Sequence, residues 1–387
     1  MTKTRLLVEG WRGINHSYAM VNQFQLLELL KVPTLEIKHR DVDFNGRDWN
    51  RVKNTAGFPQ HLQDQIDAIP GPKEDEAFDV VYRIAWPFQP TQTKCRRAIT
   101  FLTAEYGLGP EHFPTSGADI AGMVAGDNLV VTPSSWSKMK LLEAGFPESK
   151  IVVIPHGYHP DIYYPLSLEE RQEARRTLGI EPDAFVVLNL GAMIHNKGID
   201  ILIRGFAEFR KGCKKAVLVL KDDKNLYGIG AQGVVAQILS QYPECNSPEV
   251  VSSIKLLSAT LPLTEMRKLY GLADVYASPY RAEGFNLPVL EAMACGTRVI
   301  VTKGGATDDF VDSANTAMIP AVRTPCSAYG MQNSNGYILE PDVKELTKAL
   351  GSTASRSVEP VSATKLESFS LKCWTSAADK IIKIHTI

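Results

Sequence analysis

The strongest constraint in this chain of 387 residues is a pattern that runs twice. Short, almost continuous apolar runs alternate with segments of helical period, stop at a polar break, and start again. In the first half the runs are Arg5–Glu9, Thr34–Ile37, Asp79–Ala85, Ala98–Thr103, Leu129–Thr132 and Ile151–Ile154. In the second they are Phe185–Leu190, Ala216–Lys221, Ile254–Leu257, Asp274–Ala277 and Arg298–Val301. Runs without alternation suit strands buried on both faces, and strands separated by helices pair in parallel under two helical layers. Met20, Phe24 and Leu27 share one helix face, which Asn15 or Ser17 could cap. Ser134 opens a helix carrying Trp136, Met139 and Leu142, closed by Gly145 and Pro147. Ile199, Leu202, Phe206 and Phe209 line another that ends at Gly212.

The break, PHGYHPDIYYPLSLEERQEARRTLGIEP, is rich in turn residues and charge and fits a linker with one helix. The expected fold class is α/β, with two Rossmann-like doubly wound parallel-sheet domains over residues 1–160 and 184–368, joined by a linker at 161–183. A closing helix over 369–387, with Leu371, Trp374, Ala378 and Ile381 at helical spacing, would return to complete the first domain. The segment 316–335 carries no pattern that assigns it.

Hydrophobic residues at 44% and charged ones at 22% give the balance of a soluble globular protein. A net charge of -1 offers no basic excess for nucleic acid, although peripheral membrane contact stays open because net charge averages over the surface. The six cysteines (Cys95, Cys213, Cys245, Cys295, Cys326, Cys373) show neither a C-x-x-C pair nor clustered histidines, so reduced thiols are expected rather than disulfides or zinc. The start, MTKTRLLVEGWRG, has too short an apolar run for a signal peptide, and no segment reaches transmembrane length. A cytoplasmic location is the expectation.

Gly228, Gly230 and Gly233 match G-x-G-x-x-G, but six residues (Asp222 to Tyr227) separate them from the preceding strand. A dinucleotide site needs its first glycine directly after the strand, so an NAD enzyme is not indicated.

The chemistry concentrates in RAEGFNLPVLEAMACG, residues 281–296. Pro288 suits the first helical position and Gly296 the residue past the end, so a two-turn helix is expected between them. Its N-terminus offers free N–H groups and partial positive charge to a diphosphate. Gly284 would let the backbone approach a ligand closely. Glu283 before the helix and Glu291 one turn into it can face one cleft, gripping a sugar on one side and a ribose on the other.

This stretch resembles the E-x7-E motif of family-4-type retaining glycosyltransferases (glycosyl transferases group 1) of the GT-B fold. The resemblance implies that Glu283 lies by the donor sugar. It also implies that the backbone of Gly284, Phe285, Asn286, Leu287, Pro288 and Val289 meets sugar hydroxyls and phosphate, and that Glu291 binds the ribose. LNLGAMIHNKGIDILIRGFAEF resembles the first strand and helix of that family's second domain, whose basic pair holds the diphosphate. Lys197 matches the lysine; where the family has an arginine after the glycine, this chain has Ala192 after Gly191. AGFPESKIVVIPHGYHPDIYYP resembles the hinge, and LPLTEMRKLYGLADVYASPYRAEGF the approach to the acidic motif, so the likeness covers most of residues 128–312.

In the first domain, EGWRGINHSYA places Gly13, Asn15 and His16 after the first strand, where ligands gather in such folds. Gly13 could admit phosphates, Asn15 or His16 could reach donor or acceptor, and His16 could equally serve as a helix-cap neighbour. Where many relatives carry a sugar-contacting histidine after the fourth strand, this chain has Glu105; His156 at the hinge reads as a packed loop residue.

The function implied is retaining, metal-independent transfer from a UDP- or GDP-sugar to a hydroxyl on a glycan, lipid-linked or small-molecule acceptor. The catalytic candidates are Glu283, Lys197 and Glu105. The nucleotide-sugar is a co-substrate and no cofactor is called for. The alternatives are a nucleotide-sugar epimerase or phosphorylase, a catalytically silent homologue acting as a regulatory or scaffold subunit, and a nucleotide-binding sensor.

Overall fold

The computed structural model describes residues 3–43, 57–109, 112–114, 119–223, 228–311, 316–329, 336–355, 374, 379–381 and 383. The first-half runs become β1 (Thr4–Gly10), β2 (Leu35–Asp41), β3 (Phe78–Ile84), β4 (Cys95–Phe101), β5 (Leu129–Thr132) and β6 (Ile151–Val153). They form one parallel sheet in the order β2-β1-β3-β4-β5-β6. The second half gives β7 (Phe185–Leu190), β8 (Ala216–Asp222), β9 (Ile254–Ser258), β10 (Val275–Ser278), β11 (Arg298–Thr302) and β12 (Thr316–Ile319). These make a second parallel sheet, in the order β12-β11-β10-β7-β8-β9. Strand order reverses between β1 and β3 in the first sheet and between β7 and β10 in the second. Chains leaving neighbouring strands at such points go to opposite faces, and the crevice between them is where ligands bind. The two crevices face one another across a cleft.

The helix after β1, Ser17–Leu29, is buried nearly all round rather than on one stripe. The reason is double cover: the sheet packs on one side, and Phe58 and Trp374 lie 4.8 and 5.7 Å from Phe24 on the other. Its cap is neither Asn15 nor Ser17 but His16, whose Nδ1 accepts the Tyr18 N–H at 3.1 Å. Ser134 caps the helix Ser135–Glu143 as expected. The helix in the polar break is Leu168–Thr177, held by a reciprocal capping box of Ser167 and Glu170.

Most of the expected closing helix lies outside the described residues. Trp374 and Ile381, which are described, are buried in the same core as Phe24 and Val21. The unassigned segment holds β12 and β13 (Ala321–Pro325), and β13 pairs antiparallel with β14 (Tyr337–Pro341), which lies just beyond the segment. Five cysteines, Cys95, Cys213, Cys245, Cys295 and Cys326, are free, and Cys373 lies outside the described residues. Among the described residues no helix is long and apolar enough to cross a membrane.

Candidate functional site

A cavity of about 730 Å³ fills the cleft, walled by the segments that leave β1, β3, β7 and β10. Every candidate from the sequence lines it except two. Gly13 has a positive φ of 74°, and its N–H is taken by Gln23 Oε1 at 3.1 Å, so it shapes the turn from behind the wall. Val289 is fully buried in the core beneath the helix.

The acidic motif folds as its caps dictate. Asn286, at φ 71°, sets the helix Leu287–Ala294, and Gly296, at φ 76°, follows its end. Both carboxylates are buried, Glu283 with 6% and Glu291 with 8% of its surface exposed, so neither is a solvated surface acid. The Tyr270 hydroxyl donates to Glu291 Oε2 at 2.6 Å. Burial pushes the Glu291 carboxyl up to about 7, and hydrogen bonds from Tyr270 and Tyr163 only partly offset it.

Glu283 meets Lys197, whose Nζ stands 2.5 Å from Glu283 Oε1. Burial also raises the Glu283 carboxyl, Lys197 opposes the rise, and Glu105 adds to it. Lys197 is presented by a single tight turn, His195–Lys197, that ends at Gly198. Gly198 has φ 66°, and a Cβ there would sit 2.0 Å from the carbonyl oxygen of Pro279. Only glycine satisfies both demands, which locks the lysine loop against the loop carrying Glu283.

The other half supplies Asn15, His16 and Glu105. Asn15 Nδ2 donates across the cleft to Asp223 Oδ2 at 3.1 Å, and Asn196 Nδ2 donates to Glu105 Oε2 at 2.8 Å. His16 is held neutral, its ring lowered to about 4 by burial and then by Lys197. His156 also lines the cavity and is likewise lowered by burial, to about 3, with its ring 4.8 Å from that of Phe285.

Gly284 differs from the expectation in its neighbour. A Cβ there would fall 1.8 Å from Thr103 Cγ2, and Ser134 Oγ donates to the Gly284 carbonyl at 2.6 Å. The close approach that glycine permits is between the two halves of the chain, not toward open cavity.

The sequence reading passed over Asn196, Lys221, Asp223 and the anchoring role of Arg281. Lys221 had a signal: a cation ending an apolar strand run at the edge where ligands collect. Asn196, Asp223 and Arg281 act through partners distant in sequence, which no local pattern reveals. Among the described residues no group of three or more His, Cys, Asp or Glu is arranged to hold a metal.

Residues 184–354 match the family described as glycosyl transferases group 1. The D-inositol 3-phosphate glycosyltransferase of Segniliparus rotundus is 30% identical over 156 residues, 40% of this chain and 32% of that protein. The mannosylfructose-phosphate synthase of Agrobacterium fabrum is 29% identical over 182 residues, 46% of this chain and 38% of that one. The chain thus spans well under two thirds of the length of these relatives. The crystal structure of Anabaena Alr3699/HepE in complex with UDP-glucose has the same fold, with a TM-score of 0.66 at 17% identity over 98% of this chain and 99% of that one.

Proposed function

We propose, from the match of residues 184–354 to glycosyl transferases group 1 and from the GT-B fold, that the protein is a retaining glycosyltransferase. It moves a sugar from a UDP- or GDP-sugar to a hydroxyl acceptor, without a metal, in the cytoplasm. The observation that carries this reading is the pair of buried carboxylates, Glu283 and Glu291, on one cavity wall with a helix N-terminus between them. Each carboxylate already holds a protein donor, Lys197 on Glu283 and Tyr270 on Glu291, and an ionised carboxylate has about four lone-pair sites, so each can also accept from the hydroxyls of a sugar or a ribose.

In this reading the sugar lies against Glu283, the diphosphate at the N-terminus of helix Leu287–Ala294 and Lys197, and the ribose against Glu291. The leaving diphosphate gathers charge as the glycosidic bond breaks, and Lys197 with the helix dipole stabilises it, which is the work a metal does elsewhere. Acceptor and leaving phosphate share one face of the sugar, with Glu105 by the donor sugar and Asn15 and His16 within reach of donor or acceptor. Residues 1–160, completed by the segment from 369, are the acceptor domain, 161–183 the linker and 184–368 the donor domain. The similarity to a D-inositol 3-phosphate glycosyltransferase and a mannosylfructose-phosphate synthase, and the UDP-glucose complex of the structural neighbour, support this class.

The test is release of free nucleoside diphosphate from a panel of UDP- and GDP-sugars, in EDTA, with product anomers assigned by NMR. Release with retained configuration is expected. Activity that vanishes in EDTA and returns with manganese would overturn the metal-free mechanism, and nucleotide binding without turnover on any donor would favour the silent homologue.

Glu291 gives a separate expectation. Glu291→Gln should weaken binding of free UDP or GDP by about 1.5–3 kcal/mol, the value of hydrogen bonds to a charged acceptor. Ribose hydroxyls donate to the ionised carboxylate, and ionisation sets in near 7. Wild-type affinity should therefore show a rise centred near that point which the Gln variant lacks, on top of the ionisation of the terminal phosphate that both proteins share. Calorimetry across pH decides it, and equal affinities for the two proteins would remove Glu291 from the ribose site.

A further inference from the structure

The charge on Lys197 is already answered by Glu283, yet a second ammonium faces the cleft. Lys221 stands next to the C-terminal end of β8, in register with Leu190 of β7, and the Gly191 N–H donates to its carbonyl at 3.0 Å. It is 4% exposed and lines the cavity. Its nearest carboxylates are Asp222 and Asp223, and both are engaged elsewhere: Asp222 caps the Ala231 N–H, and Asp223 accepts from Asn15 and Thr260 at 3.1 Å each. Among the described residues nothing hydrogen-bonds or ion-pairs with the Lys221 side chain.

A lysine this buried is rare without a partner, because desolvating an ammonium is expensive. The expense is recovered if an anion enters the cavity. The wall beside Lys221 offers little other positive charge, since Ala192 stands there without any. The N-terminus of the helix Leu287–Ala294 opens into the same cavity.

We propose that Lys221 is a diphosphate-binding residue of the cleft, completing with Lys197 and the helix N-terminus a cradle for the two phosphates of a nucleoside diphosphate. This rests on the nucleotide-sugar reading above. It makes Lys221 a binding residue maintained at a cost to the unliganded fold.

The experiment compares wild type, Lys221→Met and Lys221→Arg by calorimetry and thermal unfolding. The probes are inorganic pyrophosphate, UDP, GDP and the nucleosides uridine and guanosine. Lys221→Met should lose about 10- to 100-fold in affinity for pyrophosphate and both diphosphates, as expected for a charge-assisted contact, with little change for the nucleosides. Lys221→Arg should keep part of that affinity. Without ligand, Lys221→Met should unfold no lower than wild type, because it removes an unpaired buried charge; a structural lysine would give a lower midpoint. Unchanged pyrophosphate and nucleotide affinity, or a lower unliganded midpoint with the ligand response intact, overturns the proposal. Wild type that binds pyrophosphate but neither UDP nor GDP, with binding lost in Lys221→Met, upholds the anion site and overturns the nucleotide-sugar reading instead.

Discussion

Lys197→Ala should lower kcat by about 10²–10³ while KM rises less, since it removes a preorganised cation from charge that grows in the transition state. The lysine is held on a turn that only Gly198 can close, so its ammonium is aimed before substrate arrives. In the unliganded protein it sits 2.5 Å from Glu283. Its loss therefore has a second effect. Glu283 is left buried beside Glu105 with its cation gone, and its carboxyl, already raised by burial, must rise further. Without Lys197 the Glu283 side chain also loses the contact that fixes its position, so Lys197→Ala should blur discrimination between donors of different hydroxyl stereochemistry as well. Glu283→Gln should reproduce that blurring with a smaller fall in kcat. The two losses share one ion pair, so the double variant should fall short of their sum. Steady-state kinetics on the three folded variants decides this. Near wild-type turnover by Lys197→Ala would mean that the leaving group does not meet this lysine.

How much of this was legible in the sequence depended on whether the physics is local. Leu129–Thr132 and Phe185–Leu190 were read to the residue, because strands buried on both faces leave unbroken apolar runs. β2 was read only to Ile37 and in fact reaches Asp41. It is an edge strand, and its later residues are polar: His39 is buried against Asn22, and Asp41 binds Arg12 in a fork. β12, one edge strand of the second sheet, was not read because its four residues make too short a run to stand out. The first strand of the ribbon β13–β14 carries no buried position, so no apolar run marks it; the apolar anchor lies in β14, where Ile338 and Leu339 are buried, and Glu340 adds its bonds to Arg281.

The site divides in the same way. Glu283, Pro288 and Glu291 are spaced by one helix, which Gly296 closes, so the common wall of those three could be read from spacing. The bonds that draw the halves together, Asn15 to Asp223 and Asn196 to Glu105, join residues 208 and 91 positions apart. Gly284 shows the limit of reading a residue type alone. Its missing side chain points to a close approach to a ligand, whereas the neighbour in the structure is Thr103, and which group fills such a space is a tertiary fact.

Arg281→Met should cost about 3–5 kcal/mol, the cost of breaking a buried ion pair by removing one partner. Its guanidinium is 3% exposed and forks onto Asp200 at 2.6 and 2.7 Å. It also reaches both Glu340 oxygens, at 2.5 and 2.9 Å, and the His195 carbonyl at 3.1 Å. Its backbone accepts the Leu339 N–H at 2.8 Å and donates to the Asn196 carbonyl at 2.7 Å. One residue thus ties together the lysine turn, the loop entering the acidic motif and the ribbon that shields them. Asp200 and Glu340 keep some solvent, which places the expected cost at the lower end of that range. Arg281→Lys should recover only part of it, because an ammonium cannot fork to two carboxylates. The pH dependence has a fixed sign. Burial tends to raise the Asp200 carboxyl, but Arg281 outweighs that and holds it below the ordinary value. The stabilisation is therefore present above the unfolded carboxylate range and is lost as pH falls through the folded one. The gap between wild type and Arg281→Met should narrow on acidification below about pH 4. Denaturant midpoints measure the cost, and hydrogen exchange locates it: the amides of β13 and β14 should lose protection in the variant before those of β7 and β8. Equal midpoints with an equally protected ribbon would show that Arg281 does not anchor it.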